Sequence, residues 1–128
     1  TVFDSRTELA KAENYPAARE VICGDFGNIY EKVTLTANDY AIVMTPGHRA
    51  DFEILAQVLR SDASYIGCIG SKHKVAKTRE LLLTQGFADA DIARIHSPIG
   101  LPILAETPEE IAISIAAEMI EHRAKRLR

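Results

Sequence analysis

The side chains best equipped for chemistry in this 128-residue chain sit where apolar runs stop. Asp4-Ser5-Arg6 follows Thr1-Val2-Phe3. Thr45-Pro46-Gly47-His48 closes the run that begins at Asp39. Gly70, Ser71 and Lys72 end the run from Ser64, with His73, Lys74 and Lys77 close behind. His96 to Pro102 forms a loop stiffened by two prolines, Pro98 and Pro102. Each place suits a different part of one ligand. An acid at the end of a strand takes ribose hydroxyls, and a nearby arginine accommodates a 2′-phosphate, so Asp4 and Arg6 form a candidate nucleotide contact. Thr45 offers a hydroxyl and Gly47 lets backbone approach a ligand. His48, at a helix start, is positioned as a neutral donor or an acid/base group.

The stretch from Tyr65 to Lys77 combines the features an oxyanion needs. Gly67 and Gly70 permit close backbone approach, Ser71 can cap the following helix, and Lys72 and Lys74 add positive charge to its free N–H groups. A solvated lysine face is the plain alternative, because GxxxxGK[ST] is absent. The loop holding His96, Ser97 and Gly100 carries a histidine, a hydroxyl and a flexible hinge; such loops hold ligands or simply turn corners. Asp4 likewise has a structural alternative as a turn cap. Cys68 reads as a small buried hydrophobe, with no basic neighbour in sequence to favour a thiolate. No metal site is expected, since His48, His73, His96 and His122 lack zinc-type spacing and CxxC is missing. GxSxG is missing too, and no nucleophile stands beside a base.

These residues need a scaffold that gathers strand ends along one edge. Short apolar runs at 1–3, 20–23, 39–45 and 64–70, with a weaker one at 94–99, alternate with segments of helical period. That βαβα order predicts an α/β fold, a doubly wound, mostly parallel sheet with helices on both faces, in which ligands lie beyond the carboxyl ends of the strands. A helix over 49–60 places Phe52, Leu55, Val58 and Leu59 on one face. A second, over 72–85, has Ser71 as N-cap and Gly86 just beyond its end. Asp89 is placed to cap a short helix over 90–94. The last helix opens on Thr107 as N-cap, Pro108 at its first position and Glu110 three residues on, with Ile111, Ile115 and Met119 along its core stripe. Its basic end, HRAKRLR, matches the negative end of the helix dipole.

Composition narrows the function classes. Hydrophobic residues make up 47% of the chain, enough for a sizeable core in one domain over residues 1–128. Fifteen basic against eighteen acidic residues give a net charge of −3, which excludes a global field for nucleic acid or anionic membranes and makes any anion site local. Two cysteines inside apolar runs do not make a disulfide framework and suit a reducing cytoplasm. No run approaches the roughly 20 apolar residues that span a bilayer. A doubly wound sheet of order 3-2-1-4-5-6 carries its phosphate loop after a central first strand, and no such βα unit stands ahead of Thr1; the expectation is an excerpt of a longer chain.

Four motifs then occur in one order: Asp4-Ser5-Arg6, Thr45 to His48, Tyr65 to Lys74, and His96 to Ile111. Together they resemble the carboxyl-terminal Rossmann domain of the xanthine dehydrogenase accessory factor family, XdhC/CoxI, over nearly the whole chain. The family's pattern is a strand ending in DDR, a TxGH turn, a YIGxIGS loop followed by basic residues, and an HxPIGL loop leading to a TPEEIA helix. Leu104 and Ala105 stand where that pattern suggests a glycine. The resemblance implies an accessory factor or chaperone, rather than an enzyme in its own right, that binds the molybdenum cofactor (molybdopterin) and assists its sulfuration and insertion. Its implied partners are a molybdenum hydroxylase of the xanthine dehydrogenase type and a sulfurtransferase; self-association is left open. On that reading Asp4, Arg6, Thr45, Gly47, His48, Gly67, Gly70, Ser71, Lys72, His96, Gly100 and Thr107 line the cofactor site. An NAD(P)-binding oxidoreductase and a nucleotide-sensing regulatory domain are the alternatives.

Overall fold

A computed structural model describes residues 1–128. Its strands are β1 (Val2–Asp4), β2 (Val21–Cys23), β3 (Tyr40–Val43), β4 (Tyr65–Cys68) and β5 (Ile95–His96). The helices are α1 (His48–Val58), α2 (Lys72–Thr84), α3 (Asp89–Ile92) and α4 (Pro108–Arg126). All strand pairs are parallel, as the βαβα pattern requires. The strands do not form one sheet, however. β1 pairs with β2, and β3-β4-β5 form a separate three-stranded sheet.

β4 is the centre of the larger sheet, and all four of its residues are buried. Alternation along it serves two cores. Ile66 and Cys68 join Val43, Leu55, Val58 and Leu82 beneath α1 and α2. Tyr65 turns to the opposite face, where Ile99 of the following loop and Ile115 of α4 cover it. Helices therefore flank both faces of the three-stranded sheet, the arrangement of a Rossmann-like doubly wound fold.

The helix ends follow their caps. Thr107 Oγ1 accepts from the Glu110 N–H, while Glu110 Oε1 accepts from the Thr107 N–H, so the predicted capping box is formed. Ser71 Oγ accepts from the Lys74 N–H at the start of α2. Gly86 adopts φ +89° just past that helix, a conformation that disfavours any residue with a Cβ. At α3 the expectation is corrected. Asp89 is inside the helix and Ala88 holds the cap position, its N–H donating to Asp91 Oδ2 at 3.0 Å.

Two 3₁₀ turns, Ala12–Asn14 and Phe26–Glu31, lie in the first third of the chain. The second is fastened to α1 by one side chain. Gln57 Oε1 accepts from the Ile29 N–H at 2.8 Å, and Gln57 Nε2 donates to the Phe26 carbonyl at 2.7 Å. No helix is long and apolar enough to cross a membrane.

Candidate functional site

The carboxyl ends of β3 and β4 bring the TPGH and GSK loops side by side. Parallel pairing in register sets Val43 against Cys68, and Ile69 N–H donates to the Val43 carbonyl. The two loops then leave the sheet together, each into a helix N-terminus. Gly47 occupies the N-cap of α1 without a side chain to accept from the first turn, and the space where its Cβ would lie is empty. The first N–H groups of α1 are thus open to an acceptor from outside. At α2 Ser71 uses its hydroxyl on Lys74, leaving the first N–H groups beside exposed Lys72 and His73.

Beneath these loops lies a buried polar knot. Asp51 is 1% exposed. Its Oδ1 accepts from the Thr45 N–H at 3.2 Å and from Thr45 Oγ1 at 2.5 Å, and its Oδ2 pairs with Lys74 Nζ at 3.1 Å. Lys74 also donates to the Thr45 carbonyl. This corrects the expectation for two residues. Lys74 adds no free charge to the α2 N-terminus, because a buried carboxylate already holds it. Thr45 directs its hydroxyl inward to Asp51 and to the Gly47 carbonyl, so its part is to shape the loop. Asp51 itself is not among the expected residues, though the sequence carries a signal: it stands on the core stripe of α1 with Ile54, Leu55 and Val58, where a carboxylate needs a partner.

Asp4 and Arg6 pair with each other at the end of β1. Asp4 Oδ1 accepts from the Arg6 N–H and from Nε, each at 3.1 Å, and Oδ2 from Nη2 at 2.9 Å. The Arg6 guanidinium holds the Asp4 carboxyl below its usual range, against the opposing effect of burial. Both residues, with Thr45 and Pro46, line one cleft of about 680 Å³ between β1 and β3.

Four predicted residues lie elsewhere. Gly67 is sealed inside the sheet, where a Cβ would collide with the Ile99 and Tyr65 side chains; it makes room for packing, not for a ligand. His96 faces α4. Its ring stacks on Tyr65 with centroids 4.6 Å apart, and Nδ1 is 3.5 Å from Glu118 Oε1. Gly100, at φ +98°, turns the same loop against α4, where a Cβ would collide with Ser114 Oγ. Thr107 is the cap of α4 and nothing more in this geometry.

The unanticipated residue on that face is Glu118. Its Oε1 accepts from the Tyr65 hydroxyl at 2.5 Å and from the Gly100 N–H at 3.3 Å. Burial, reinforced by this carboxylate, pushes the Tyr65 hydroxyl well above its ordinary range. His122 closes the group, with its Nε2 3.2 Å from Ser64 Oγ and its ring edge-on to Tyr40 and Tyr65. Cys68 behaves as a buried thiol. Burial and then the Asp51 charge push it up to about 12, despite the partial offset from Lys74. A thiol raised in this way carries little thiolate at neutral pH.

Parallel strands, helices on both faces and loops converging at the carboxyl edge define a Rossmann-like α/β domain. Residues 1–119 match the model of the XdhC Rossmann domain, and the chain belongs to that family. It is 30% identical over 124 residues to a probable xanthine dehydrogenase subunit of Bacillus subtilis, covering 97% of this chain and 36% of that one. It is 31% identical over 121 residues to the uncharacterized protein YqeB of Escherichia coli, covering 94% of this chain and 22% of that one. The crystal structure of a xanthine dehydrogenase (BH1974) from Bacillus halodurans superposes with a TM-score of 0.83 at 35% identity, over 98% of this chain and 36% of its own. The chain therefore spans about a fifth to a third of the length of these relatives.

Proposed function

We propose that this domain is the ligand-binding part of an accessory factor for a molybdenum hydroxylase of the xanthine dehydrogenase type, and that it holds the molybdenum cofactor during sulfuration and insertion. The observation that carries this reading is the open N-terminus of α1 at Gly47, set directly beside the α2 N-terminus with Ser71 and Lys72. Those donors suit the phosphate of a pterin cofactor. The cofactor, when bound, supplies the molybdenum chemistry delivered to the client. The chain's own work is to bind the phosphate with first-turn N–H groups and Lys72, and to keep that surface rigid through the Asp51–Lys74–Thr45 knot. The client hydroxylase and a sulfurtransferase would be its partners.

The test is to express the protein from its complete coding sequence in cells that make the cofactor, then to assay the purified protein for molybdenum and pterin. Both should co-purify in stoichiometric amounts. Lys72→Ala should weaken retention by about 1 to 3 kcal/mol, the worth of a charge-assisted hydrogen bond. One observation favours a second reading. The Asp4–Arg6 pair at the end of β1 is disposed as ribose-binding acids are, which fits NAD or NADP. Saturable NAD(P) binding without molybdenum or pterin would establish that reading and overturn the first.

A further inference from the structure

The outer face of α4 carries an apolar stripe that its own chain leaves uncovered. Ile111, Ile115 and Met119 turn toward the sheet, where they pack with Tyr65 and Ile99. On the opposite side of the same helix Ile113, Ile120 and Leu127 recur at every seventh position, 63%, 56% and 79% exposed. Ala117 and Ala124 stand between them, at the alternating four-and-three spacing of a helix–helix seam. The stripe lies about half a turn around the helix from Ile115, so an element in the same layer as α4 would flank it and still leave it bare. Large aliphatic side chains exposed in line on one helix mark a contact surface.

This stripe is complementary to itself when one copy is reversed. A two-fold axis between Ala117 and Ile120 sets each large residue against a small one, Ile120 against Ala117 and Ile113 against Ala124, each twice. A parallel pair would oppose isoleucine to isoleucine and leave gaps at the alanines. Charge gives the same answer. Glu109 is exposed in the first turn, and Arg123 and Arg128 are exposed at the other end, while Lys125 and Arg126 are engaged within the chain by Glu121 and Asn38. Reversal brings the acidic end of one helix to the basic end of the other and opposes the two helix dipoles; a parallel pair would set like charges together.

We propose that this face of α4 is the contact surface for a second copy of the chain, in an isologous dimer whose two α4 helices run antiparallel across a two-fold axis. The alanines allow the two helix axes to approach closely, and the isoleucines fill the space on either side of them. Such a dimer leaves both ligand edges free. α4 runs against the direction of the strands: near its start Ser114 Oγ donates to the Leu101 carbonyl beyond the carboxyl end of β5, and near its end His122 Nε2 is 3.2 Å from Ser64 Oγ, ahead of β4. Antiparallel pairing therefore points the two carboxyl edges in opposite directions, one at each end of the dimer.

Sedimentation equilibrium and cysteine pairing test this on the product of the complete coding sequence. The wild-type product should be dimeric. Ile120→Glu, which places a carboxylate in the seam from each copy, should weaken dimerisation by at least about a hundredfold and leave the far-ultraviolet circular dichroism unchanged. A wild-type product that stays monomeric at every concentration overturns the proposal, by leaving the stripe to another part of the polypeptide or to a different protein. A dimer that Ile120→Glu leaves intact overturns it too, since the interface is then elsewhere. Ile113→Cys combined with Ala124→Cys reads the geometry independently of that variant. The two positions are about 16 Å apart along one helix, so a disulfide between them can only join two copies. Mild oxidation should yield links between positions 113 and 124, mapped by mass spectrometry. Links of 113 to 113 and 124 to 124, or no link at either position, overturn the antiparallel dimer.

Discussion

The two sheets of this domain differ more in what lies beneath them than in how they are built. Every fully buried hydrophobic residue, from Val43 to Ile115, belongs to the three-stranded half or the helices that cover it; the first 42 residues contribute none. Asp4 is the one residue buried in the two-stranded half, and it is charged. Deep burial is thus concentrated in one half. The β3-β4-β5 half is a packed platform on both faces, whereas β1-β2 is a two-stranded arm of half-buried Val2, Phe3, Val21, Ile22 and Cys23 that carries Asp4 and Arg6 at one end. The difference teaches that the crevice has one rigid wall and one wall whose position depends on little apolar contact.

The strongest way to break the comparison is to hollow each half in turn. Leu55→Ala, at a side chain 1% exposed beneath β4, should cost about 2 to 5 kcal/mol by denaturant titration. Ile22→Ala in half-buried β2 should cost about 1 kcal/mol. Equal losses would show that the arm shares the core. Next in size is the buried pair. Lys74→Met leaves the Asp51 carboxylate without its cation and should destabilise by about 3 kcal/mol, and adding Asp51→Asn should restore most of that.

Alkylation separates the two halves without mutation. Iodoacetamide at pH 8 should label Cys23 of β2 and spare Cys68 of β4, whose thiol is held near 12 and is buried. Cys68 labelling at the Cys23 rate would mean that the platform opens readily. The smallest effect concerns Asp4. Its carboxyl is held down by Arg6, so the stability it adds is present above the ordinary aspartate range and is lost as pH falls through the lowered folded value. Arg6→Ala should move its titration upward, read from the carboxyl carbon by NMR, and shift that loss to higher pH.

Much of this architecture is legible from local signals. The capping box at Thr107, the Ser71 cap and Gly86 are decided within a few residues, so the helix boundaries they set fall within one or two positions of expectation. The 3₁₀ turn at Phe26–Glu31 has no such signature, because Gln57, far away in sequence, holds it. Along α1 the periodicity points to Phe52, Leu55, Val58 and Leu59, but Phe52 is only half-buried and the deep positions include Asp51 and Ile54. A carboxylate in a core stripe looks like an interruption until its partner on another helix is known. The site follows the same rule. Residues that act through their own loop, such as Gly47 and Ser71, stand where the sequence puts them. Lys74, Gly67, His96 and Gly100 depend on what crosses over them, and Asp51, Ile99, Tyr65 and Ser114 decide their roles.

One oxygen on the α4 face has a consequence beyond packing. Glu118 Oε1 receives the Tyr65 hydroxyl from β4 and the Gly100 N–H from the loop after β5, and it is itself carried by α4. Three segments are joined at a single rivet, like links fastened in series. Losing it breaks both bonds at once, and β4, the loop and α4 are then joined by the Ile99–Cys68 and Leu101–Ser114 backbone bonds and by the packing of Tyr65, Ile99 and Ile115. A Glu118→Gln change, which keeps the acceptor but removes the charge, should therefore disturb these contacts less than Glu118→Ala.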